Sequence, residues 1–432
     1  MKFYSTENKN NVASLKHAVI TGMPSDGGLY MPEEIPQMSR KFFDNLRSMD
    51  IQEIGIEITK KFLSDDVPIQ EIEQIIKSAM NFDTPLEQVT ADIYSLETFH
   101  GPSLAFKDVG ARFMARLMSY LIRDEEENLN IVVATSGDTG SAVANGFYEV
   151  PGINVFVLYP SGKISKIQEK QISTLGKNIT ALEVNGNFDD CQRLVKTALS
   201  DQDLRGHINL TTANSINIAR LLPQIFYYFR ALAQLDGYKD KETIVCVPSG
   251  NFGNLTAGLM GKKMGLPVRR FIAATNVNDV VPEYLEKGEY NPRESIETIS
   301  NAMDVGDPSN FDRILDLYDH DWETIKSDIY GSSYTDEETR ATIKSVHKNY
   351  NYTCDPHGAV GFTALKDYLE EENGDQGIFL ETAHPAKFKQ IVENEIEGEV
   401  EMPERLAKFI QRDKKSLKIE DKYEEVKEVL LP

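Results

Sequence analysis

Lys107 is the residue whose surroundings point most directly to chemistry, because it follows the apolar trio Leu104-Ala105-Phe106. Burial against apolar side chains disfavours the charged form of a lysine. A lysine that is neutral near pH 7 is a nucleophile and forms Schiff bases with aldehydes. Taken alone, the segment is more typical of a surface lysine that opens a helix over 109–120. The chemical interpretation therefore needs support from a second site.

A first glycine-containing turn follows a predicted strand over 131–135 and reads SGDTG over 136–140. A helix of small residues is expected from Ser141 onward. Backbone amides and hydroxyl groups at a helix N-terminus form an anion site. Ser, Asp and Thr are also ordinary capping residues, so the turn is equally consistent with a capped strand-to-helix connection.

A second glycine-rich turn follows a predicted strand over 243–247 and reads PSGNFGN over 248–254. Glycines let backbone N–H groups approach a phosphate without obstruction by a Cβ atom. The turn matches neither the P-loop nor the dinucleotide fingerprint, since GxxxxGK[ST] is missing and Gly250 and Gly253 do not complete GxGxxG. The pattern favours a small monophosphate over a dinucleotide.

The elements that must position these turns are short apolar strands that alternate with helices from about residue 93 onward. Further strands are predicted over 154–160, 179–184, 208–212, 269–276 and 376–385. Runs that are apolar on both faces indicate parallel strands beneath crossover helices, and open sheets of this kind bind ligands at the carboxyl ends of their strands. The alternation is expected to lapse over 276–350. The chain after Gly398 is typical of a charged, helical and solvated closing segment.

The first 92 residues read as a mixed domain with helices predicted over 51–62 and 69–80. No residues there have catalytic spacing. Packing or interface formation is therefore the expected role of this domain.

Composition limits the function further. A chain of 432 residues predicts two or three domains, and its net charge of −22 makes nucleic acid or anionic lipid a poor partner. No apolar run reaches the ~18 residues of a membrane helix, and the opening residues show no secretory signal. Three widely spaced cysteines fit a reduced cytoplasm, with neither a disulfide framework nor zinc-binding spacing.

A Schiff-base lysine together with two anion-binding turns brings the chain close to a known family. The matching stretches, in order, are SDGGLYMPEEIP, FHGPSLAFKD, ATSGDTGSA, YPSGKISKIQEKQ, TTANSINIAR, VPSGNFGN, SNAMDVGDPSNF, DPHGAVG and ETAHPAKF. They span nearly the whole chain, which resembles the threonine synthases of the fold type II superfamily of pyridoxal 5′-phosphate (PLP) enzymes. The resemblance is to the longer form found in many bacteria and fungi.

The resemblance implies a fold like that of the tryptophan synthase β subunit, with two open, mainly parallel α/β domains and PLP in the cleft between them. The mixed N-terminal domain would cover 1–92. The large PLP-binding domain would comprise 93–108 and 214–432, with an insertion at about 277–350. The small α/β domain would cover 109–213.

The resemblance also implies the roles of the cofactor-binding residues. Lys107 would carry PLP as a Schiff base and serve as the catalytic base. The phosphate of PLP would be held by backbone amides and the helix dipole at the second turn, formed by Gly250, Asn251, Phe252, Gly253 and Asn254. Thr382 would offer its hydroxyl to the pyridine nitrogen, although a strand-end cap is the alternative. Asp138 would lie near the 3-hydroxyl, where a carboxylate needs a shared proton or another donor, so its role stays open.

The implied reaction converts O-phospho-L-homoserine and water into L-threonine and phosphate, which requires a second phosphate pocket. Its candidate residues are Ser136, Thr139, Lys163, Ser165, Asn214, Ser215, Asn217 and Arg220. Arg220 offers a forked donor and Lys163 a point charge, but either could instead pair locally or face solvent. His100, His357 and His384 lack metal-ligand spacing and are interpreted as shaping the pocket. The GNFGN segment has no serine in nucleophile-elbow position.

Two alternatives stay open at this point. A sister lyase of the threonine dehydratase type would share the lysine and the glycine turn, but would not need the second phosphate pocket. A catalytically silent relative would bind PLP or phosphohomoserine without turnover. We expect a cytoplasmic monomer or homodimer that acts on a small molecule, with no nucleic acid, membrane or metal involved.

Overall fold

The computed structural model describes residues 1–237, 241–372 and 376–431. The strands of these ranges are β1 (Lys2–Ser5), β2 (Val12–Ser14), β3 (Tyr30–Pro32), β4 (Leu86–Gln88), β5 (Ile93–Glu97), β6 (Leu129–Ala134), β7 (Ile153–Pro160), β8 (Ile179–Asn185), β9 (Asn209–Thr212), β10 (Thr243–Pro248), β11 (Arg270–Thr275), β12 (Ile329–Ser333), β13 (Gln376–Glu381) and β14 (Ser416–Glu420).

The helices of the first half are α1 (Leu15–Thr21), α2 (Arg40–Asn45), α3 (Ile51–Leu63), α4 (Ile69–Ala79), α5 (Lys107–Leu121), α6 (Asp138–Phe147), α7 (Lys166–Ser173), α8 (Phe188–Ser200), α9 (Gln202–His207), α10 (Ile218–Leu221) and α11 (Ile225–Gln234). Those that follow are α12 (Gly253–Lys263), α13 (Val280–Lys287), α14 (Phe311–Leu317), α15 (Trp322–Asp328), α16 (Asp336–Tyr350), α17 (Pro356–Glu372), α18 (Lys389–Ile396), α19 (Glu404–Ile410) and α20 (Tyr423–Leu430). Short 3-10 helices occupy Leu46–Ser48, Leu222–Gln224, Asn301–Met303 and Pro385–Phe388.

The opening segment combines a small antiparallel sheet, in the order β2-β1-β3, with the two helices that the sequence predicted. Asp50 and Glu53 form a reciprocal capping box at the start of α3, which satisfies two helix N-terminal donors at once. Ile54, Ile58 and Phe62 lie on the buried face of α3. The predicted helices over 51–62 and 69–80 are confirmed.

A six-stranded sheet in the order β12-β11-β10-β13-β5-β4 forms the larger α/β layer. All of its pairs are parallel except β4 with β5. Because β10, β13 and β5 are neighbours and run the same way, their carboxyl ends lie side by side. The segments that follow these three strands are the loop before Lys107, the second glycine turn and the segment with Thr382.

A five-stranded, fully parallel sheet in the order β14-β8-β7-β6-β9 forms the other α/β layer. The carboxyl ends of β7, β6 and β9 are adjacent, and they lead into the segments with Lys163, Ser136 and Asn214. The mainly parallel α/β fold predicted from the sequence is thus confirmed.

The chain after Gly398 differs from the helical, solvated segment that the sequence predicted. Strand β14 pairs with β8 of the five-stranded sheet, and Ile419, Val426 and Leu430 are buried in the core of that layer. The prediction failed because the strand sequence SLKIE is short and charged. Residues 416–420 thus pair with the segment that we assigned to the small domain, whereas our assignment placed 214–432 with the large one. The domain boundaries themselves stay a prediction.

The predicted lapse of alternation over 276–350 is wrong for one segment, because β12 adds a parallel strand to the edge of the six-stranded sheet. Most residues of its sequence, IYGSS, are small or polar and are half-exposed, so the strand lacks the apolar pattern by which strands are predicted. Within the ranges that the structure describes, no helix is long and apolar enough to cross a membrane.

Candidate active site

The loop before Lys107 is fastened to the end of strand β13. Thr98 donates through its amide (3.1 Å) and its hydroxyl (2.8 Å) to the Glu381 carbonyl oxygen. Further along, the Phe106 amide donates to the Thr382 carbonyl oxygen (2.9 Å). The His384 amide donates in turn to the Leu104 carbonyl oxygen (3.1 Å). These backbone bonds hold Lys107, the first residue of α5, beside Thr382.

The Lys107 amine lies in surroundings that favour its neutral form. Burial lowers the pKa of this amine to about 8, the nearby carboxylate of Asp138 opposes the shift, and the cations Arg220 and Lys387 add to it. A sizeable fraction of the amine is therefore neutral near physiological pH, as a Schiff-base lysine requires. The sequence-based expectation for this side chain agrees with these surroundings.

The second glycine turn is a rigid backbone cradle. Phe252 has φ 59° just before α12, and a Cβ on Gly250 would lie 2.4 Å from the Ala302 carbonyl oxygen. Asn254 braces the turn, since its Nδ2 donates to the Pro248 carbonyl oxygen (2.8 Å). In the described part of the chain, the amides of 250–252 have no hydrogen-bond acceptor. Together with the first amides of α12, they form an anion-binding surface.

Thr382 lies directly after β13 and is buried to 6% exposure. Its carbonyl oxygen is used by the Lys107 loop, whereas its hydroxyl has no partner among the residues that the structure describes. A hydroxyl in this position can donate to an acceptor held against the strand end. The placement fits the predicted contact with a ring nitrogen.

Asp138 forms a buried ion pair with Lys387, a residue that the sequence analysis did not single out. Lys387 Nζ lies 2.5 Å from Asp138 Oδ1 and donates to the Ser103 carbonyl oxygen (3.0 Å). Gln168 Nε2 also donates to Asp138 Oδ1 (2.9 Å). Burial opposes ionisation, but the charges of Lys387 and Lys107 hold the pKa of Asp138 far below its ordinary value. The sequence feature that could have pointed to Lys387 is its position within AHPAKF, a segment of mostly small and apolar residues.

The first glycine turn is tighter than predicted, because α6 begins at Asp138 and not at Ser141. Thr135 Oγ1 accepts hydrogen bonds from the amides of Gly137 (2.9 Å) and Gly140 (2.8 Å). This hydroxyl takes the role of a helix cap, so the helix can start earlier. Ser136 and Thr139 stay partly exposed in the turn.

Two predicted substrate residues are used as helix caps. Ser165 Oγ accepts from the Gln168 amide (3.2 Å) at the start of α7. Asn217 Oδ1 accepts from the Ala219 amide (3.0 Å), while its Nδ2 donates to the Val19 carbonyl oxygen (2.9 Å). Asn217 is fully buried and both ends of its amide are used, so it ties α10 to α1.

The remaining predicted residues separate into two groups. Ser215 lies at the second glycine turn, where its Oγ accepts from Asn251 Nδ2 (2.5 Å). Arg220 is buried, donates to the Ala213 carbonyl oxygen (2.5 Å), and keeps a buried Nε without a partner in the described chain. Lys163 is exposed and Asn214 is partly exposed at the carboxyl edge of the five-stranded sheet.

The three histidines of the matched motifs have structural contacts. His357 Nδ1 lies 2.5 Å from Asp355 Oδ2, and its Nε2 accepts from the Ala302 amide (3.2 Å). His384 caps the helix Pro385–Phe388, and burial lowers the pKa of its ring to about 4. His100 lies 2.7 Å from Glu97. Among the described residues, no cluster of His, Cys, Asp and Glu could hold a metal ion.

Three family models together cover nearly the whole chain. "Threonine synthase N terminus" matches residues 2–80, "Pyridoxal-phosphate dependent enzyme" matches 79–380, and "Threonine synthase, C-terminal" matches 358–430. The threonine synthase of Escherichia coli strain K12 is 44% identical over 407 residues, which is 94% of each chain. The chain belongs to the threonine synthase family.

Solved structures of the family have the same fold. The Escherichia coli threonine synthase structure superposes with a TM-score of 0.93 at 42% identity, covering 100% of this chain and 99% of that one. A PLP-bound threonine synthase from Brucella melitensis gives a TM-score of 0.92 at 34% identity, covering 100% and 98%. The chain is therefore a PLP-dependent lyase of the threonine synthase family, and its cofactor is pyridoxal 5′-phosphate.

The residues present fit this cofactor. Its aldehyde requires an amine of which a sizeable fraction is neutral near physiological pH, and Lys107 would supply it. Its phosphate requires unpaired donors, for which the amides of 250–252 are available. Its ring nitrogen requires a nearby polar group, and the Thr382 hydroxyl at the neighbouring strand end would meet this requirement.

Proposed function

We propose that the chain converts O-phospho-L-homoserine and water into L-threonine and phosphate. The observation that carries the proposal is the placement of Lys107. Its amine has a pKa of about 8 because it is buried, and it lies beside Thr382 and the glycine turn. The reaction needs one group that can form a Schiff base and also move protons between carbon atoms of the substrate. Lys107 meets both requirements.

The residues of the chain divide the work among themselves. PLP supplies an aldehyde for attachment and a ring that takes up negative charge from the substrate. Lys107 Nζ, freed when the substrate amine takes its place, would remove the proton from Cα. A proton would then leave Cβ as phosphate departs from Cγ. Cγ would be reprotonated, water would add at Cβ, and Cα would regain its proton last. The neutral hydroxyl of Thr382 leaves the ring nitrogen unprotonated, which limits side reactions such as transamination.

The substrate phosphate would bind apart from the cofactor phosphate. Strands β7, β6 and β9 are adjacent, so Lys163, Ser136 and Asn214 follow neighbouring carboxyl ends. Ligands of open α/β sheets bind at this edge. Lys163 is exposed there, which supports it as the cation that attracts the substrate phosphate. We keep Thr139 in this pocket and propose Ser165 and Asn217 as supports of the surrounding backbone.

A coupled assay tests the proposal. Purified holoenzyme should release phosphate from O-phosphohomoserine, with L-threonine as the product. A threonine dehydratase would instead release ammonia and a keto acid from L-threonine, and a silent relative would turn over neither substrate. Absence of phosphate release from fully loaded enzyme would contradict the proposal.

The role of Lys107 has its own test. Borohydride reduction of the holoenzyme should bleach the yellow cofactor band and attach the pyridoxyl group to the peptide that contains Lys107. Lys107→Ala should abolish this labelling, whereas Lys170→Ala, at a half-buried position on α7, should keep it. Labelling of any other peptide would show that the assignment is wrong.

We also propose that the enzyme works in the cytoplasm as a monomer or homodimer. Cys191, Cys246 and Cys354 are free and buried, which suits a reducing compartment. Analytical ultracentrifugation of the holoenzyme distinguishes the two oligomeric states.

A further inference from the structure

The ion pair between Asp138 and Lys387 connects the two α/β layers within the active site. Asp138 begins α6, directly after strand β6 of the five-stranded sheet, whereas Lys387 follows strand β13 of the six-stranded sheet. Their side chains are 5% and 0% exposed. A buried ion pair gains little over an apolar pair of the same shape. Stability alone therefore does not account for these two buried charges.

We propose that Lys387 is a positioning residue that binds Asp138, so that this carboxylate does not pair with Lys107 and the Lys107 amine stays free to react. The proposal rests on the assignment of Lys107 as the Schiff-base lysine. It does not depend on which substrate the enzyme uses.

The charges around Lys107 support this role. Three charged groups face its amine: Asp138 from α6, Arg220 from α10 and Lys387 from the segment after β13. Asp138 favours the ammonium form, while the two cations disfavour it. If Lys387 were absent, the only carboxylate of this set would lose its cationic partner, keep only the neutral donor Gln168 Nε2, and attract the charge of Lys107 more strongly. The amine would then hold its proton more tightly and react more slowly.

Other groups near Lys387 do not replace Asp138 as its partner. The Ser103 carbonyl oxygen accepts one of its hydrogen bonds, but this oxygen carries no full charge. Asp108 also interacts with Lys387, but its Oδ2 accepts from the Ser103 amide (2.8 Å), and no ion pair joins it to Lys387 in the described chain. His384 is neutral near physiological pH because burial lowers the pKa of its ring. Asp138 is thus the carboxylate in direct contact with Lys387.

The test measures how fast full-length apoenzyme captures PLP as a function of pH. The protein is stripped with hydroxylamine and mixed with PLP, and the Schiff base is trapped with borohydride and counted on the Lys107 peptide. In Lys387→Met, the midpoint of the pH dependence should rise by about one unit, and capture at pH 7.5 should slow about tenfold. Lys387→Arg should stay close to the wild type, because the charge is kept.

A double variant separates the proposed role from general damage. Asp138→Asn combined with Lys387→Met removes both charges, so its midpoint should return to within about 0.3 units of the wild type, a twofold difference in capture. If the double variant is as impaired as Lys387→Met, the carboxylate is not the cause and the proposal is wrong. An unchanged midpoint in Lys387→Met would also overturn it.

Two controls cover loss of folding. Lys387→Gln keeps a hydrogen-bond donor for Ser103 and loses the charge, so it should fold and show the raised midpoint even if Lys387→Met unfolds. If Lys387→Gln folds with the wild-type midpoint, the proposal fails.

Lys389→Met is the matched control for the loss of a lysine. It removes a neighbouring lysine that pairs with Glu393 on the surface, and its capture curve should match the wild type. Because no substrate is used, failure here is distinct from failure of the proposed reaction.

Discussion

Two cations that the sequence analysis named as candidates for the substrate phosphate, Lys163 and Arg220, have opposite surroundings. Arg220 is 3% exposed and repels the charge of Lys107, whereas Lys163 is exposed at the sheet edge. Burial also lowers the pKa of the Arg220 guanidinium to about 10. A buried cation of this kind acts on neighbouring charges, while an exposed one is available to a ligand that enters from solvent. Replacement of Lys163 and replacement of Arg220 should therefore have different effects on the enzyme.

Replacement of Lys163 by alanine should reduce kcat/KM for O-phosphohomoserine by roughly ten- to a hundredfold, equivalent to losing ~1.5–3 kcal/mol of charge-assisted hydrogen bonding. The absorption band of bound PLP should not change. Arg220→Ala should instead alter this band and lower the melting temperature, because it empties a buried position beside Lys107. Lys166→Ala, on the neighbouring first turn of α7, is the matched control. Normal kinetics in Lys163→Ala would place the substrate phosphate elsewhere.

At the scale of elements, the sequence predicted most of the buried strands and the edge strand β9, but missed the edge strands β12 and β14 and the interior strand β5. Strands β6, β7, β10 and β13 are continuous apolar runs, so their position and the loops that follow them could be anticipated. Only one residue of β12 and one of β14 are buried, and IYGSS and SLKIE therefore lack the apolar signal. The start of α6 was misjudged by three residues, because Thr135, directly after β6, caps this helix through its side chain.

The second glycine turn allows a prediction in which fold and cofactor binding respond differently. A Cβ on Gly253 would meet its nearest atom, Asn310 Nδ2, at 3.4 Å, so a Cβ is tolerated there without a clash. In Gly253→Asp, the new carboxylate at the first turn of α12 interacts favourably with the helix dipole, so the helix is not destabilised. The same carboxylate repels the phosphate of the cofactor. The melting temperature of the apoenzyme should hold, while the Kd for PLP should rise at least about a hundredfold, which corresponds to ~3 kcal/mol.

The control for this prediction is Gly253→Asn, which has the same shape without the charge and should bind PLP much more tightly than Gly253→Asp. Equal binding by the two variants would show that charge is not the cause. Gly250→Ala should behave differently from both, because its Cβ would lie 2.4 Å from the Ala302 carbonyl oxygen. That clash should lower the melting temperature of the apoenzyme itself.

At the scale of the whole molecule, contacts between distant segments were the part that the sequence could not supply. Asp138 was recognised as a carboxylate that needs another donor, but nothing in a local pattern showed that the donor is Lys387. The same holds for Ser215, which joins the glycine turn through Asn251 although the two loops follow strands of different sheets. Local sequence patterns identify reactive side chains and strand ends, but the tertiary structure determines which of them contact each other.

A buried carboxyl behind Thr382 gives the molecule a stability that depends on pH. Glu381 accepts from the Asp355 amide at Oε1 (2.6 Å), while its Oε2 is buried with no partner in the described residues. Burial, reinforced by the nearby Asp355 carboxylate, raises the pKa of Glu381 well above its ordinary value of 4.5. The native state therefore keeps a proton that the unfolded chain releases above about this pH.

The free energy of unfolding should fall as pH rises from 4.5 through the higher pKa of the native carboxyl, because the folded chain binds more protons than the unfolded chain over this window. Glu381→Gln cannot ionise and keeps an acceptor for the Asp355 amide. Its free energy of unfolding, measured by urea denaturation of the apoenzyme, should lose about 1–3 kcal/mol less than that of the wild type between pH 5 and pH 9. Glu401→Gln, at an exposed position, should follow the wild-type slope. A Glu381→Gln variant with the same slope would mean that another buried group takes up the proton. Glu381 would then be ionised in the native enzyme, and the negative charge next to Thr382 would have to be balanced elsewhere in the site.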